Sequence, residues 1–202
     1  MTTALFGIII AIAVIALVVY MLAQKTESDV QQLIQQHRYA EASALPANDS
    51  AGFLHRAEAL KLQGRFDEAI DAFGRSSDPA APEGIALSLA HLGRDLDRAR
   101  LLMEQNIAAY PQIQEFQALA LAFILLRSGR REEALRLYED NAVLLQTRFQ
   151  DDYTDPDPLL AETLVLYAEL SAAAGDHDRA ATLRATAASW APGSVWAQSA
   201  RR

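Results

Sequence analysis

Cysteine is absent from the sequence. Disulfides, thiolate catalysis and cysteine-ligated zinc or iron–sulfur centres are therefore excluded, and so is an anchor acylated on cysteine. This absence does not identify a compartment. Dense basic runs are also missing. With 18 basic against 26 acidic residues and a net charge of -8, nothing can track a phosphate backbone, and nucleic acid is not an expected partner. The sequence has no glycine-rich phosphate loop and no Ser or Thr in a nucleophile-elbow context. The histidines, His37, His55, His91 and His177, are scattered. None stands three or four residues from another, the spacing at which one helix face could hold zinc. β-Branched residues thin out after the first twenty positions while alanine and leucine are abundant, a composition that favours helices.

The apolar residues that are present begin with a long uncharged run. ALFGIIIAIAVIALVVYMLA, Ala4 to Ala23, contains 20 residues. At about 1.5 Å of rise per residue a helix of that length spans roughly 30 Å, the hydrocarbon thickness of a bilayer. The run predicts a transmembrane helix over residues 4–23, behind a short tail, 1–3. A cleaved signal peptide would have a basic start, a shorter apolar core and small residues before the cut. Here the start is Met-Thr-Thr and Met21 occupies the position where a small residue is needed. Lys25 and Arg38 follow the run and no basic residue precedes it, which places the remainder on the cytoplasmic side in preference to the periplasmic side. Gly7 and Ala11 have the spacing at which two membrane helices can approach closely, and a homo-oligomer is left open.

The soluble part repeats a pattern of helix, tight turn and helix. LQGRFDEAIDAF (Leu62 to Phe73), HLGRDLDRARLLM (His91 to Met103), RSGRREEALRLY (Arg127 to Tyr138) and AAGDHDRAATLR (Ala173 to Arg184) share a turn glycine, early acidic residues and an alanine. QQHRYAEASAL (Gln35 to Leu45) is a glycine-free version. Gly64, Gly93, Gly129 and Gly175 suit the left-handed residue that closes a helix. The acids suit the positive end of the next one. Ala69, Ala99, Ala134 and Ala180 are small where two helices must cross. The glycine spacings are 29, 36 and 46 residues, in the range of helical repeat arrays.

These units resemble tetratricopeptide (TPR) repeats, helix-turn-helix modules of about 34 residues. Ala57, Ala86, Ala122 and Ala168 match the family's small residue seven before the turn glycine. Leu60, Leu89 and Leu125 match its large residue, where Ser171 departs. Phe73 and Tyr138 match its aromatic, Met103 substitutes for it, and Arg184 departs. Pro111 and Pro192 match its terminal proline, where Ala81 and Gln146 do not. The resemblance implies an all-α fold, a right-handed superhelical stack of TPR-like hairpins behind the membrane helix. The divisions are a juxtamembrane half-repeat over 24–49, about four degenerate repeats over 50–192 with an acidic insertion at 147–158, and a C-terminal cap or tail over 193–202.

The insertion contains DDYTDPDP (Asp151 to Pro158). Its aspartates lack the spacing and central glycine of a calcium loop. Pro156 and Pro158 break a helix, and Asp157 is placed to cap the next with Pro158 in its first turn. GDHD (Gly175 to Asp178) reads as a solvated turn. No catalytic constellation, metal site or cofactor follows, and no enzymatic activity is expected.

The resemblance further implies a concave groove lined by the first helix of each unit. In the family register it contains Leu54, Glu58, Lys61, Leu87, His91, Leu119, Phe123, Arg127, Val165 and Glu169, an apolar floor with isolated charges that suits a helix or extended peptide. Phe123 is either its anchor or ordinary core. Leu54 and Glu58 stand where some relatives carry the basic and amide residues that hold a C-terminal carboxylate, which argues against tail recognition of that kind. Trp196 is expected to open a capping helix and Trp190 to pack into the same end. The expected function is a membrane-anchored scaffold or assembly factor for an envelope complex, in a bacterial inner membrane, with a protein or peptide in the groove and the bilayer around the N-terminal helix. A permanent structural subunit of a membrane complex is the alternative, and a ligand-binding or enzymatic domain a remote one.

Overall fold

A computed structural model describes residues 29–111, 114–151 and 156–199. The expected membrane helix, 4–23, and the extreme C-terminus lie outside them. No helix among the described residues is long and apolar enough to cross a membrane. Every regular element among them is helical: α1 (residues 29–35), α2 (Tyr39–Ala44), α3 (Ser50–Leu62), α4 (Phe66–Phe73), α5 (Ala81–Leu92), α6 (Leu96–Ala109), α7 (Gln114–Arg127), α8 (Arg131–Asp151), α9 (Ala161–Ala174), α10 (His177–Trp190) and α11 (Val195–Ser199), with a 3-10 turn at Pro158–Leu160 before α9.

The hairpins form where the repeated motif places its glycines. Gly64, Gly93, Gly129 and Gly175 all take left-handed backbone, with φ between 66° and 94°. The residue after each donates its backbone N–H to a carbonyl five positions back, from Arg65 to Leu60 through Asp176 to Ser171. This arrangement satisfies carbonyls that a helix end otherwise leaves bare. The glycine-free half-unit makes the same turn. His37 takes φ 59° and Arg38 N–H donates to Leu33 O at 2.8 Å. The additional residue in the second turn is accommodated by Asp95, also left-handed at φ 46°. Three turns carry one more device: Arg38, Arg65 and Arg130 each clamp the glutamate three residues on, all at 2.5 Å. These pairs are exposed and contribute little individually.

Helices within a hairpin, and alternate helices along the array, pack through the small positions. Ala57, Ala86, Ala122, Ala168, Ala69, Ala99, Ala134 and Ala180 are fully buried, so their small volume sets the separation of the crossing helices. Gly84 allows a still closer approach, because a Cβ there would lie 2.3 Å from Phe73 Cζ. The large positions fill the space between hairpins: Phe73, Met103 and Tyr138 are buried with Leu60, Leu89 and Leu125. Ser171 departs from the apolar pattern for a visible reason. Its hydroxyl shares a hydrogen bond with Tyr138 Oη at 3.0 Å, so a buried phenol is satisfied by a neighbouring unit.

The stretch expected as an acidic insertion is partly helical. α8 continues to Asp151 and is the longest described helix, at 21 residues. Asp157 then accepts from Leu159 N–H and Pro158 opens the 3-10 turn, the capping arrangement that the residue types dictate. The hairpin α9–α10 is thereby displaced along the array, and its first turn returns toward α1. Val30 and Ile34 of α1 share one apolar cluster with Ala161, Leu164 and Val165 of α9, with Ala187 of α10 and with Trp196. Gln35 Nε2 donates to Asp157 Oδ1 at 3.2 Å across the same join. The two ends of the described array therefore meet.

Candidate functional site

The first helix of each unit turns one row of side chains toward a shared inner face, and α9 brings its own row across from the far end. Glu162, in the first turn of α9, lies between α3 and α5. Its Oε2 is 2.5 Å from Lys61 Nζ, and its Oε1 accepts from His91 Nε2 at 2.9 Å. Lys61 also pairs with Glu58, one turn back on α3, at 3.1 Å. Both Lys61 and Glu162 are almost wholly buried, and the ammonium lies 5.6 Å from the centre of the Phe73 ring.

Two charges leave water only where each is heavily compensated. Burial would raise the Glu162 carboxyl, but the Lys61 charge and the His91 hydrogen bond outweigh it and bring it down to about 2. Burial would likewise deprotonate Lys61, and Glu162 with Glu58 holds it protonated above its ordinary range. Glu58 itself is raised, by burial first, with Lys61 opposing and Glu162 adding to it. Glu83 on α5 is pushed up to about 7, again by burial, with Lys61 opposing and the Glu162 and Glu58 charges adding. Asn106 donates to its Oε2 at 3.3 Å. Acid–base catalysis needs groups that exchange protons near the working pH. Lys61 and Glu162 are driven away from that range in opposite directions, so their pairing acts as a fixed ionic strut. Among the described residues no cluster of three or more His, Asp or Glu side chains is placed to hold a metal ion.

An aromatic cluster adjoins the strut. His91 stacks on Phe66, with centroids 5.1 Å apart and planes 15° from parallel. Phe123 approaches its ring at 5.0 Å and Trp196 at 4.8 Å. Trp196 also reaches Phe66, at 5.9 Å. Trp196 belongs to α11, which packs on α10 and reaches α3 and α9 as well. Val195 sits over the turn glycine Gly64, so close that a Cβ there would lie 3.2 Å from Val195 Cγ2.

The ten residues expected to line an open groove can now be placed. Glu58, Lys61, His91 and Phe123 come together around the strut and the aromatic cluster. Leu87, Leu119 and Phe123 are buried in the central core, and Val165 is buried in the cluster that joins the two ends. Leu54 is partly covered against the core of the first unit. Arg127 is exposed, and Glu169 pairs with Arg184 at 3.0 Å. The residues expected to line an open groove are therefore in large part covered by the chain: Leu87, Leu119, Phe123 and Val165 are buried, and α9 and α11 pack nearby. Three participants were not anticipated from sequence. Glu162 had a signal, since it lies three residues before Val165 and seven before Glu169 on one helix face. Phe66, an aromatic at the start of a helix after a polar turn, had a weaker one. Glu83 had none. Trp196 is buried in α11, and Trp190 is half-buried in the same cluster.

No protein-family model and no curated relative matches the sequence. Solved structures do match. The protein MamA from AMB-1 aligns with a TM-score of 0.50 at 18% identity, covering 84% of this chain and 99% of that one. A Podosopora anserina protein of nearly identical TPR-like repeats, described as a kinesin light chain, aligns with a TM-score of 0.51 at 15% identity, covering 83% and 93%. The similarity is one of fold: this chain has the architecture of TPR-like repeat proteins.

Proposed function

We propose that this protein is a membrane-anchored interaction scaffold, an assembly factor that holds a protein or peptide partner beside a bilayer. The observation that carries the reading is the inner face itself, with an aromatic cluster and partly exposed charges on rigid helices. TPR-like architecture supports it, since stacked helical hairpins supply extended binding surfaces. The anchor is residues 4–23, and the Lys25 and Arg38 bias favours a cytoplasmic repeat domain in a bacterial inner membrane. Tethering raises the effective concentration of partners that share the membrane, so that a modest affinity suffices.

The reading of a permanently buried subunit would lead one to expect a broad apolar outer surface. Among the described residues Leu101 is the sole large hydrophobic that is strongly exposed, which favours reversible contacts. A photo-crosslinking side chain at Leu54 or Arg127, on the inner face, is expected to give discrete adducts with another protein in cells. Adducts confined to a probe at Leu101 would move the partner to the outer surface, and no discrete adduct at any of the three would end the scaffold reading. Protease added to spheroplasts is expected to spare the repeat domain until lysis, and its digestion beforehand would place the domain in the periplasm.

A further inference from the structure

The C-terminal helix occupies the face on which a partner would dock. Among the described residues α11 comprises Val195–Ser199, a stretch too short to persist by its own hydrogen bonds. It is attached through Pro192 and Gly193, which are exposed, with Gly193 left-handed at φ 79°. Ser194 caps it: its hydroxyl accepts from Ala197 N–H at 3.3 Å while donating to Ala191 O at 2.6 Å. Its largest buried side chain is a tryptophan. Trp196 is 4% exposed and lies against Phe66 and His91. Its seat is supplied by other elements: α4 gives Phe66, α5 gives His91, and the α3–α4 turn gives Gly64, whose missing Cβ admits Val195. The strut from Lys61 and His91 to Glu162 fixes the His91 ring from its other side.

We propose that α11 is a removable plug, and that a partner gains the inner face by supplying, in trans, a short helix whose aromatic anchor replaces Trp196 between Phe66 and His91. The occupant now in the seat specifies the chemistry of its replacement. It carries one large ring, a β-branched neighbour thin enough to pass over Gly64, small residues beside them and a hydroxyl cap, without an acidic group. A tethered plug competes at high effective concentration, so the free chain keeps the face closed and an aromatic-anchored helix must outcompete it. This deepens the scaffold reading and rests on it.

The test uses the full chain in detergent with Trp190→Phe, which leaves Trp196 as its single tryptophan, since the sequence has two. The probe is the synthetic peptide of residues 191–202 carrying Trp196→Phe, so that it is invisible in tryptophan emission. The peptide is expected to shift Trp196 emission to the red and to open it to acrylamide, saturably. The midpoint should be roughly tenfold lower when Ser194→Ala removes the cap from the chain's own plug. The same peptide with Trp196→Ala should do nothing. If emission stays unshifted in both chains up to the solubility limit of the peptide, α11 is a fixed structural cap and the proposal is overturned. It is equally overturned if Ser194→Ala exposes Trp196 before any peptide is added and the peptide then fails to bind the vacated seat, read by its own fluorescein label. Loss of the plug with retention of the Leu54 or Arg127 crosslinks would leave the scaffold reading standing. Peptide binding without any cellular crosslink would do the reverse.

Discussion

Between α5 and α8 the helices meet through alanines, leucines and buried rings, whereas α9 meets α3 and α5 through Glu162, Lys61 and His91 as well as through the apolar cluster that joins the two ends. The first join is close-packed and local, each hairpin resting on the next. The second, from Lys61 to Glu162, spans about a hundred residues of sequence and adds buried charges to apolar packing. Apolar joins are stabilised in proportion to the area that they hide from water. A buried ionic join starts from a large desolvation cost and recovers it only if every partner is present. The regular array therefore supplies stability, and the strut supplies register, holding the last unit at one position against the first.

The largest effect should come from stranding a charge in the strut. Glu162→Ala leaves Lys61 buried beside Glu58 alone and should cost about 3–5 kcal/mol in a denaturant titration. Replacing both partners, Lys61→Met with Glu162→Leu, should recover most of that loss. If the double variant is as unstable as the single one, the join is not the compensated ion pair described above.

Next in size is an overpacking of the apolar join. Gly84→Ala drives a methyl group into the Phe73 ring, which is buried and cannot swing away, and about 2–3 kcal/mol should be lost. A neutral result would mean that the spacing of α4 and α5 is softer than that of a close-packed core.

Titration separates the two carboxylates beside the strut. Glu83 has a folded pKa raised to about 7, so its contribution is fully present below the ordinary carboxylate range and is lost as pH rises through 7. Glu162, lowered to about 2, contributes above the ordinary carboxylate range and loses its contribution as pH falls toward 2. Stability should thus increase from pH 8 to about pH 5 and decline below about pH 4. Glu83→Gln should remove the upper slope and stabilise the chain by about 1–2 kcal/mol at pH 8. Lys61, Glu58, Glu162 and Asn106 face Glu83, so an unchanged slope in that variant would assign the titration to Glu58.

The smallest effect should be confined to one turn. Gly129→Ala meets no atom within 4 Å and pays only for left-handed backbone at φ 78°, about 1 kcal/mol. Thermal unfolding should show a modest shift with unchanged cooperativity, and a loss comparable to that of Gly84→Ala would reveal packing that the turn does not display.

The hairpins were legible in the sequence because each is encoded locally: a left-handed glycine, acids on the following helix start, alanines at the crossing. The half-unit was legible too, although His37 does the work of a glycine there. Several residues expected on an open inner face are buried instead, among them Leu87, Leu119, Phe123 and Val165. Leu119 and Phe123 carry the same periodicity whether they face water, a partner or the core, and no pattern distinguishes these fates. Glu162 sits one turn before residues that were singled out, yet its partners Lys61 and His91 belong to units far away in the chain.

What the sequence by itself determined is thus everything that one hairpin and its neighbour decide: helix, turn, crossing distance and the identity of the stacking residues. The closure of the ends, the strut and the covering of the face by α11 were decided by the tertiary structure alone. Each repeat adds a small rotation to the stack, and a long α8 with a 46-residue spacing changes where the fourth unit arrives. Contacts that depend on rotations summed over several repeats have no local motif to announce them, since the residues that meet are selected by the geometry of everything between them.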